Sequence, residues 1–259
     1  SGGMGIRSGG TLTISDNATI GTAKGGDGTA DDGTGGTGIY SAGRLFISGG
    51  EIQNATGGNG GSGGSGGSGI RGDSAVNILG GIIKNAEGTG GGAGIGGGAN
   101  SSQATTINIS GGTINAQGVG GGAGIGGGQW GNGTVTISGD SKIESALGGG
   151  LSAGIGGGAV GNGTVSISGN ATIENAQGGK DGAGIGGGYG YGQSGTGDIT
   201  IEGNTTVNAT GGMGSAGIGN GTDAGGNNGQ ITIRGTKDSS PTVNATGGIA
   251  EEDGQGYVG

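Results

Sequence analysis

Gly92-Ala93-Gly94-Ile95-Gly96-Gly97-Gly98 returns letter for letter at Gly122–Gly128 and Gly182–Gly188. Ser152–Gly158 differs only in its first residue, and Ser215–Gly221 also carries Asn220 in place of a glycine. Aligned on the isoleucine, the copies stand at Ile95, Ile125, Ile155, Ile185 and Ile218, in steps of 30, 30, 30 and 33 residues. Looser copies precede them at Gly5-Ile6, Gly38-Ile39 and Gly69-Ile70, and Gly256-Tyr257 follows. Self-similarity at a fixed period of this length marks a stack of repeated coils rather than one globular unit.

Two further signals recur within each repeat. The first is an alternating segment, as in Leu12-Thr13-Ile14, Leu45-Phe46-Ile47, Val135-Thr136-Ile137 and Ile199-Thr200-Ile201. Period-two alternation of β-branched residues reads as a half-buried strand. After a glycine-containing turn comes a third short segment ending in Asn-Ala, at Asn54-Ala55, Asn85-Ala86, Asn115-Ala116, Asn175-Ala176, Asn208-Ala209 and Asn244-Ala245. The chain is therefore expected to be all-β: a parallel β-helix, or β-solenoid, of about eight coils with three short strands per coil. Residues 1–259 read as a single solenoid domain, a fragment of a longer protein. Like residues stacked at about 4.8 Å would make a rod roughly 40 Å long. The repeated Asn is expected either to form an amide ladder or to sit in a left-handed turn.

Composition narrows the function. The chain has 86 glycines but one proline, Pro241, and no sustained Gly-X-Y period, which excludes collagen. With no cysteine and no histidine, disulfides, thiol chemistry and histidine-based sites are absent. The net charge of −9 argues against nucleic acid as a partner. No apolar run reaches membrane-spanning length. Outward positions of the alternating strand are Thr, Ser, Asn and Ala, with no paired carboxylates two coils apart on that face. An enzyme is not expected, and neither is a cofactor or a metal. Asp27, Asp31 and Asp32, and again Glu251, Glu252 and Asp253, read as solvated charge. Arg71-Gly72-Asp73 spells an integrin-binding tripeptide, and its place in a turn favours a plain surface role.

The glycines of the key stretch pose a question. If Ala93 and Ile95 point inward, Gly94 and Gly96 face outward and leave bare backbone on one side of the rod. Either another element covers that face or the run is a bundle of extended glycine-rich segments rather than a strand. Loop lengths also shift along the chain. Early coils carry long loops before Gly-Ile (Gly25–Thr37 and Thr56–Ser68), the second flexible by composition, with deletion of Gly60–Gly67 expected to be nearly neutral. Later coils carry insertions after Gly-Ile, which hold Gln129-Trp130, Ala159-Val160 and Tyr189-Gly190-Tyr191. Stacking would put Trp130 roughly 10 Å from the pair Tyr189 and Tyr191 along one edge. They read either as caps over the core or as a sugar-binding platform, with Gln129 and Asn132 supplying hydrogen bonds.

The run Ile109–Ile114 (ISGGTI), followed by Gly122–Gly128 (GAGIGGG) and Gly133–Gly139 (GTVTISG), resembles the glycine-rich β-helical repeats of large Gram-positive bacterial surface proteins. The likeness covers most of residues 1–250. It implies an extracellular, adhesin-like segment at the cell surface or cell wall, serving as a stiff rod or binding surface with neighbouring domains in the parent chain. Its partner would be a polysaccharide or a host surface. An alternative is a carbohydrate-binding module acting along the Trp130 edge.

Overall fold

The structure, a computed structural model, describes residues 1–29, 31, 33–101, 104–192, 194–225 and 229–249. Asp32, the Glu251-Glu252-Asp253 cluster and Gly256-Tyr257 lie outside the described residues. The chain winds as a parallel β-solenoid. Eight first strands, each beginning at the repeat isoleucine from Ile6 to Ile218, stack in sequence order. Eight levels make seven steps, about 34 Å of stack at the usual strand spacing.

Register is set by the apolar residues. Ile70, Ile95, Ile125, Ile155 and Ile185 pair one directly above another. Second strands pair the same way, with Val135 on Val165 and Ile137 on Ile167. In the third strands Ile143 sits on Ile173 and Ala146 on Ala176. Coils two and three run second and third strands together as single 13-residue strands, Arg44–Thr56 and Ala75–Glu87. Ile70, Ile95, Ile125, Ile155 and Ile185 are all fully buried. Each buried isoleucine contributes about 2–3 kcal/mol of hydrophobic stabilisation. A slip of one residue would turn every one of them to water, so the columns enforce the register.

The repeated Asn takes neither expected form throughout. In several rungs it lies where the third-strand register shifts: Ile114 pairs with Ile143, whereas Ala116 pairs with Ala146. One coil thus holds an extra residue between its Ile and its Ala, which is a β-bulge. Asn244 donates to Asn208 at 2.8 Å, an amide rung, but Asn115 donates to Glu144 and Asn54 to the Gly21 carbonyl. The bulge also explains why the spacing to this Asn varies along the sequence.

The glycine face is not bare. A Cβ on Gly94 would lie 2.6 Å from the Gln117 nitrogen and 2.7 Å from the Ala86 carbonyl. The ends of two third strands therefore cover that face at backbone distance, and only glycine fits. Gly5, Gly38, Gly69, Gly124, Gly154, Gly184 and Gly217 meet comparable crowding. Gly96 faces no solvent either: it is buried with φ of +135°, and a Cβ there would strike the Gly126 carbonyl. Side chains other than glycine cannot occupy such a conformation without strain.

Glycine-rich loops before the first strands pack as well. In the loop Thr56–Ser68 the stems Gly57, Gly58, Gly66 and Gly67 are buried. Gly67 donates to Gly58, Gly58 to Gly36, Gly36 to Gly26 and Gly26 to Gly3, linking the loops of successive coils. Composition alone predicts flexibility for this loop. Its backbone amides instead find partners in neighbouring loops, because without side chains the backbones can approach closely enough to bond.

Candidate functional site

The site grows from the loop between first and second strands in coils four to eight. Gly131 N donates to the Gly128 carbonyl at 2.8 Å, and Gly161 N to Gly158 at 2.8 Å, closing four-residue turns. In the third turn position Trp130 has φ of +64° and Val160 +59°. A turn with positive φ only there is type II, which favours Gly or Asn at that place. Asn100 at +59° and Asp223 at +53° occupy the same place, five residues beyond their isoleucines. In coil seven that place is Gly190, and the left-handed residue is Tyr191 at +49°. Asn and Asp tolerate this conformation; Trp, Tyr and above all β-branched Val do not, at about 1–2 kcal/mol each.

These loops are held in place from coil to coil. Asn100 N donates to the Gln129 carbonyl, Trp130 N to Ala159, Val160 N to Tyr189 and Gly190 N to Thr222, at 2.7–3.1 Å. The backbone is thus fixed while the side chains project. Trp130 is 52 % exposed and Tyr191 56 %, and neither they nor Tyr189 belong to the apolar core. Ring centroids of Trp130 and Tyr191 lie 6.3 Å apart with planes 9° from parallel. That is nearer than two coils of backbone would place them, so the side chains lean together across the coil of Val160. Tyr189 meets Tyr191 edge to face, 4.5 Å apart at 80°. Such offset and T-shaped pairs fix the rings against one another.

Gln129 and Asn132 are placed differently. The Gln129 side chain lies along Gly121 and Gly91, within 2.8–3.1 Å of where their Cβ atoms would be. The Asn132 side-chain oxygen Oδ1 accepts from the Asn162 backbone N–H at 2.8 Å, and Asn162 Oδ1 in turn accepts from Thr196 N at 3.0 Å. Asn132 and Asn162 thereby hold successive loops in step. Asp223, by contrast, joins the aromatic group: it accepts from the Tyr189 hydroxyl at 3.2 Å. The Tyr189 hydroxyl is held above the usual tyrosine pKa, first by desolvation, then by this hydrogen bond and by the negative charges of Asp223 and Asp181. Asp223 was not among the residues picked out from the sequence, although its place five residues after Ile218 matches that of Trp130 after Ile125.

Two other clusters bear on function. Arg71 pairs with Asp73 at 3.0 Å, and Asp73 accepts from the Tyr40 hydroxyl, so the ends of the Arg-Gly-Asp tripeptide are turned on each other and on a neighbour. On the third-strand face, Lys142 bridges Glu144 and Glu174 of the next coil, each at 3.1 Å. Glu144 is held below the ordinary glutamate value by Asn115 and Lys142, and Lys142 above the ordinary lysine value by Glu144 and Glu174. Both shifts favour the charged forms, the opposite of the tuning that makes a carboxyl a proton donor at neutral pH. The alternating strand adds an amide pair, Asn108 donating to Asn77 at 3.0 Å. No family model matches the chain, and comparison with curated proteins and with solved structures likewise finds no match.

Proposed function

We propose that this chain is a non-catalytic, extracellular β-solenoid segment of a bacterial surface protein, acting in adhesion as a stiff rod that carries a binding edge. The observation supporting it most directly is the row of strained, half-exposed side chains on a backbone laddered from coil to coil. In a chain where glycine is the commonest residue, the left-handed places that glycine would fill without strain hold Trp130, Val160 and Tyr191 instead. Strain retained at an exposed position is an expectation of function. The row runs parallel to the stack and so suits an extended ligand.

A polysaccharide fits this edge best among extended ligands. Sugar rings present apolar C–H faces that stack on exposed aromatics, and water leaving both surfaces supplies affinity. The test is affinity electrophoresis of the wild type and Trp130→Ala against a panel of plant and microbial polysaccharides, with a thermal melt as control. At least one glycan should retard the wild type and fail to retard the variant. Equal retardation of both proteins, or none with any glycan, would remove the binding edge from the reading and leave a spacer. Beads coated with the chain should also hold to that glycan under flow and detach when the soluble glycan is added.

A further inference from the structure

We infer that the Trp130–Tyr191 ridge selects a cationic glycan, one carrying protonated amino groups, over the same polymer in neutral, N-acetylated form. This rests on the polysaccharide reading and names the ligand class.

The two ring systems present near-parallel planes, 9° apart, and both are more than half exposed. Aromatic faces carry negative quadrupole density and attract an ammonium within about 6 Å of a ring centroid. Carboxylates flank the same ridge. Asp223 is exposed and sits 3.2 Å from the Tyr189 hydroxyl. Asp181 is linked through its backbone carbonyl to Thr222 N, at 3.0 Å, in the loop that carries Asp223. Beyond desolvation, both carboxylates help hold the Tyr189 hydroxyl above its ordinary value: Asp223 by its hydrogen bond and its charge, then, after Tyr191, Asp181 by its charge. Among the described residues neither carboxylate forms an ion pair, so no paired cation offsets the charge beside the ridge.

An amino sugar matches both features at once. Its C–H face lies on one ring, while its ammonium reaches an exposed ring face and a carboxylate, giving a cation–π contact and a charge-assisted hydrogen bond. N-acetylation removes the charge and keeps the face. A polyuronate would instead meet Asp223 and Asp181 with like charge, as well as the chain's net charge of −9.

The experiment uses a soluble glucosamine polymer and its fully N-acetylated form, at low and at high salt. Binding is read by titration calorimetry for the wild type, Trp130→Ala, Tyr191→Ala, Asp223→Asn and Asp238→Asn. Asp238 lies between second and third strands, at a different corner of the coil from the ridge, and gives the same change of charge. We expect the amino polymer to bind about tenfold or more tightly than the acetylated one, a gap of roughly 1.4 kcal/mol. Asp223→Asn should narrow that gap severalfold, Asp238→Asn should leave it, and either aromatic variant should abolish binding of both polymers. Equal affinity for the two polymers, still lost in Trp130→Ala, would overturn cation selection and leave the aromatic edge as a neutral sugar platform. Binding of the amino polymer alone that both aspartate variants weaken equally, that Trp130→Ala leaves intact and that salt removes would be general charge attraction, and would overturn the inference. Binding of neither polymer overturns it too, and the wider glycan panel then decides separately whether the polysaccharide reading stands.

Discussion

At the residue after the stacked isoleucine, the first three coils carry Arg7, Tyr40 and Arg71, and the last five carry Gly96, Gly126, Gly156, Gly186 and Gly219. In the first group that residue is ordinary strand: Arg7 pairs with Tyr40 and Tyr40 with Arg71, in strands of three residues. In the second group it has φ between +130° and +143°, and the strand stops after two residues. The ladder between Ile70 and Ile95 records the change, for it pairs the isoleucines alone. One position thus decides where a coil puts its length. With a side chain there, the backbone stays extended and turns at once into the second strand. With glycine there, it reverses into the loop that displays Trp130, Val160 and Tyr191. The same isoleucine column runs through both regions, so core and loop are specified independently.

The largest expected effect should not distinguish the regions at all. Ile70→Asp and Ile125→Asp each place a carboxylate in a fully buried column, at a cost of several kcal/mol. Both proteins should be unfolded or nearly so in a thermal melt; a well-folded variant from either region would break the claim of one continuous core. Next comes the position after the isoleucine. A Cβ at Gly126 would lie 1.9 Å from the Gly156 carbonyl, and its φ of +143° suits no other residue. Gly126→Ala should therefore cost about 3 kcal/mol or more. Arg71→Ala, at the matching place in coil three, should cost no more than about 1 kcal/mol, since its ion pair is partly exposed. Urea unfolding of the two variants measures the gap, and similar midpoints would refute the difference in backbone role.

The long early loops provide a third test. Deleting residues 60–67 removes the amides that bond Gly66 to Gly90 and Gly67 to Gly58, and should lower stability by about 1–3 kcal/mol. Deleting only the exposed tip, Ser62 and Gly63, gives up the bond from Gly63 N to the Asp31 carbonyl but keeps the buried stem, and should cost less, because loop-closure entropy changes slowly with length. Equal melts for the two deletions would mean the loop stem adds nothing to the rod.

Smaller still is the effect of Trp130→Gly on stability. Relief of the left-handed strain offsets the loss of a half-exposed ring, so unfolding should stay within about 1 kcal/mol of wild type while glycan retardation disappears. A large drop in stability would make Trp130 a cap on the core. Acid should act least, and alike in both regions. Glu51, paired with Lys84 in coils two and three, and Glu144, paired with Lys142 in coil five, both have folded pKa values below their ordinary ones. Their contribution is present above the unfolded glutamate pKa and lost as pH falls through the lowered folded value. Both pairs are solvent-screened, so Glu51→Gln and Glu144→Gln should each shift the acid limb of a pH melt only slightly.

The sequence by itself determined the stack, the coil number and the apolar register. Isoleucine at a near-constant 30-residue step and alternation within Val135-Thr136-Ile137 are local facts, and burial of branched side chains follows from them wherever the chain goes. It also marked the loop holding Trp130, Tyr189 and Tyr191 as the edge to watch. Only the tertiary structure decided what covers Gly94, for a glycine has no side chain whose polarity could announce its neighbour. That neighbour is the backbone of Ala86 and Gln117, brought there from two third strands. The structure alone likewise turned Asn132 into a link to the Asn162 amide and brought Asp223, 93 residues on from Trp130, to the edge through Tyr189. Periodicity says which residues stack. Which backbones come close enough to exclude a Cβ, and which side chains meet between coils, follows from how far each loop carries the chain before it rejoins the stack.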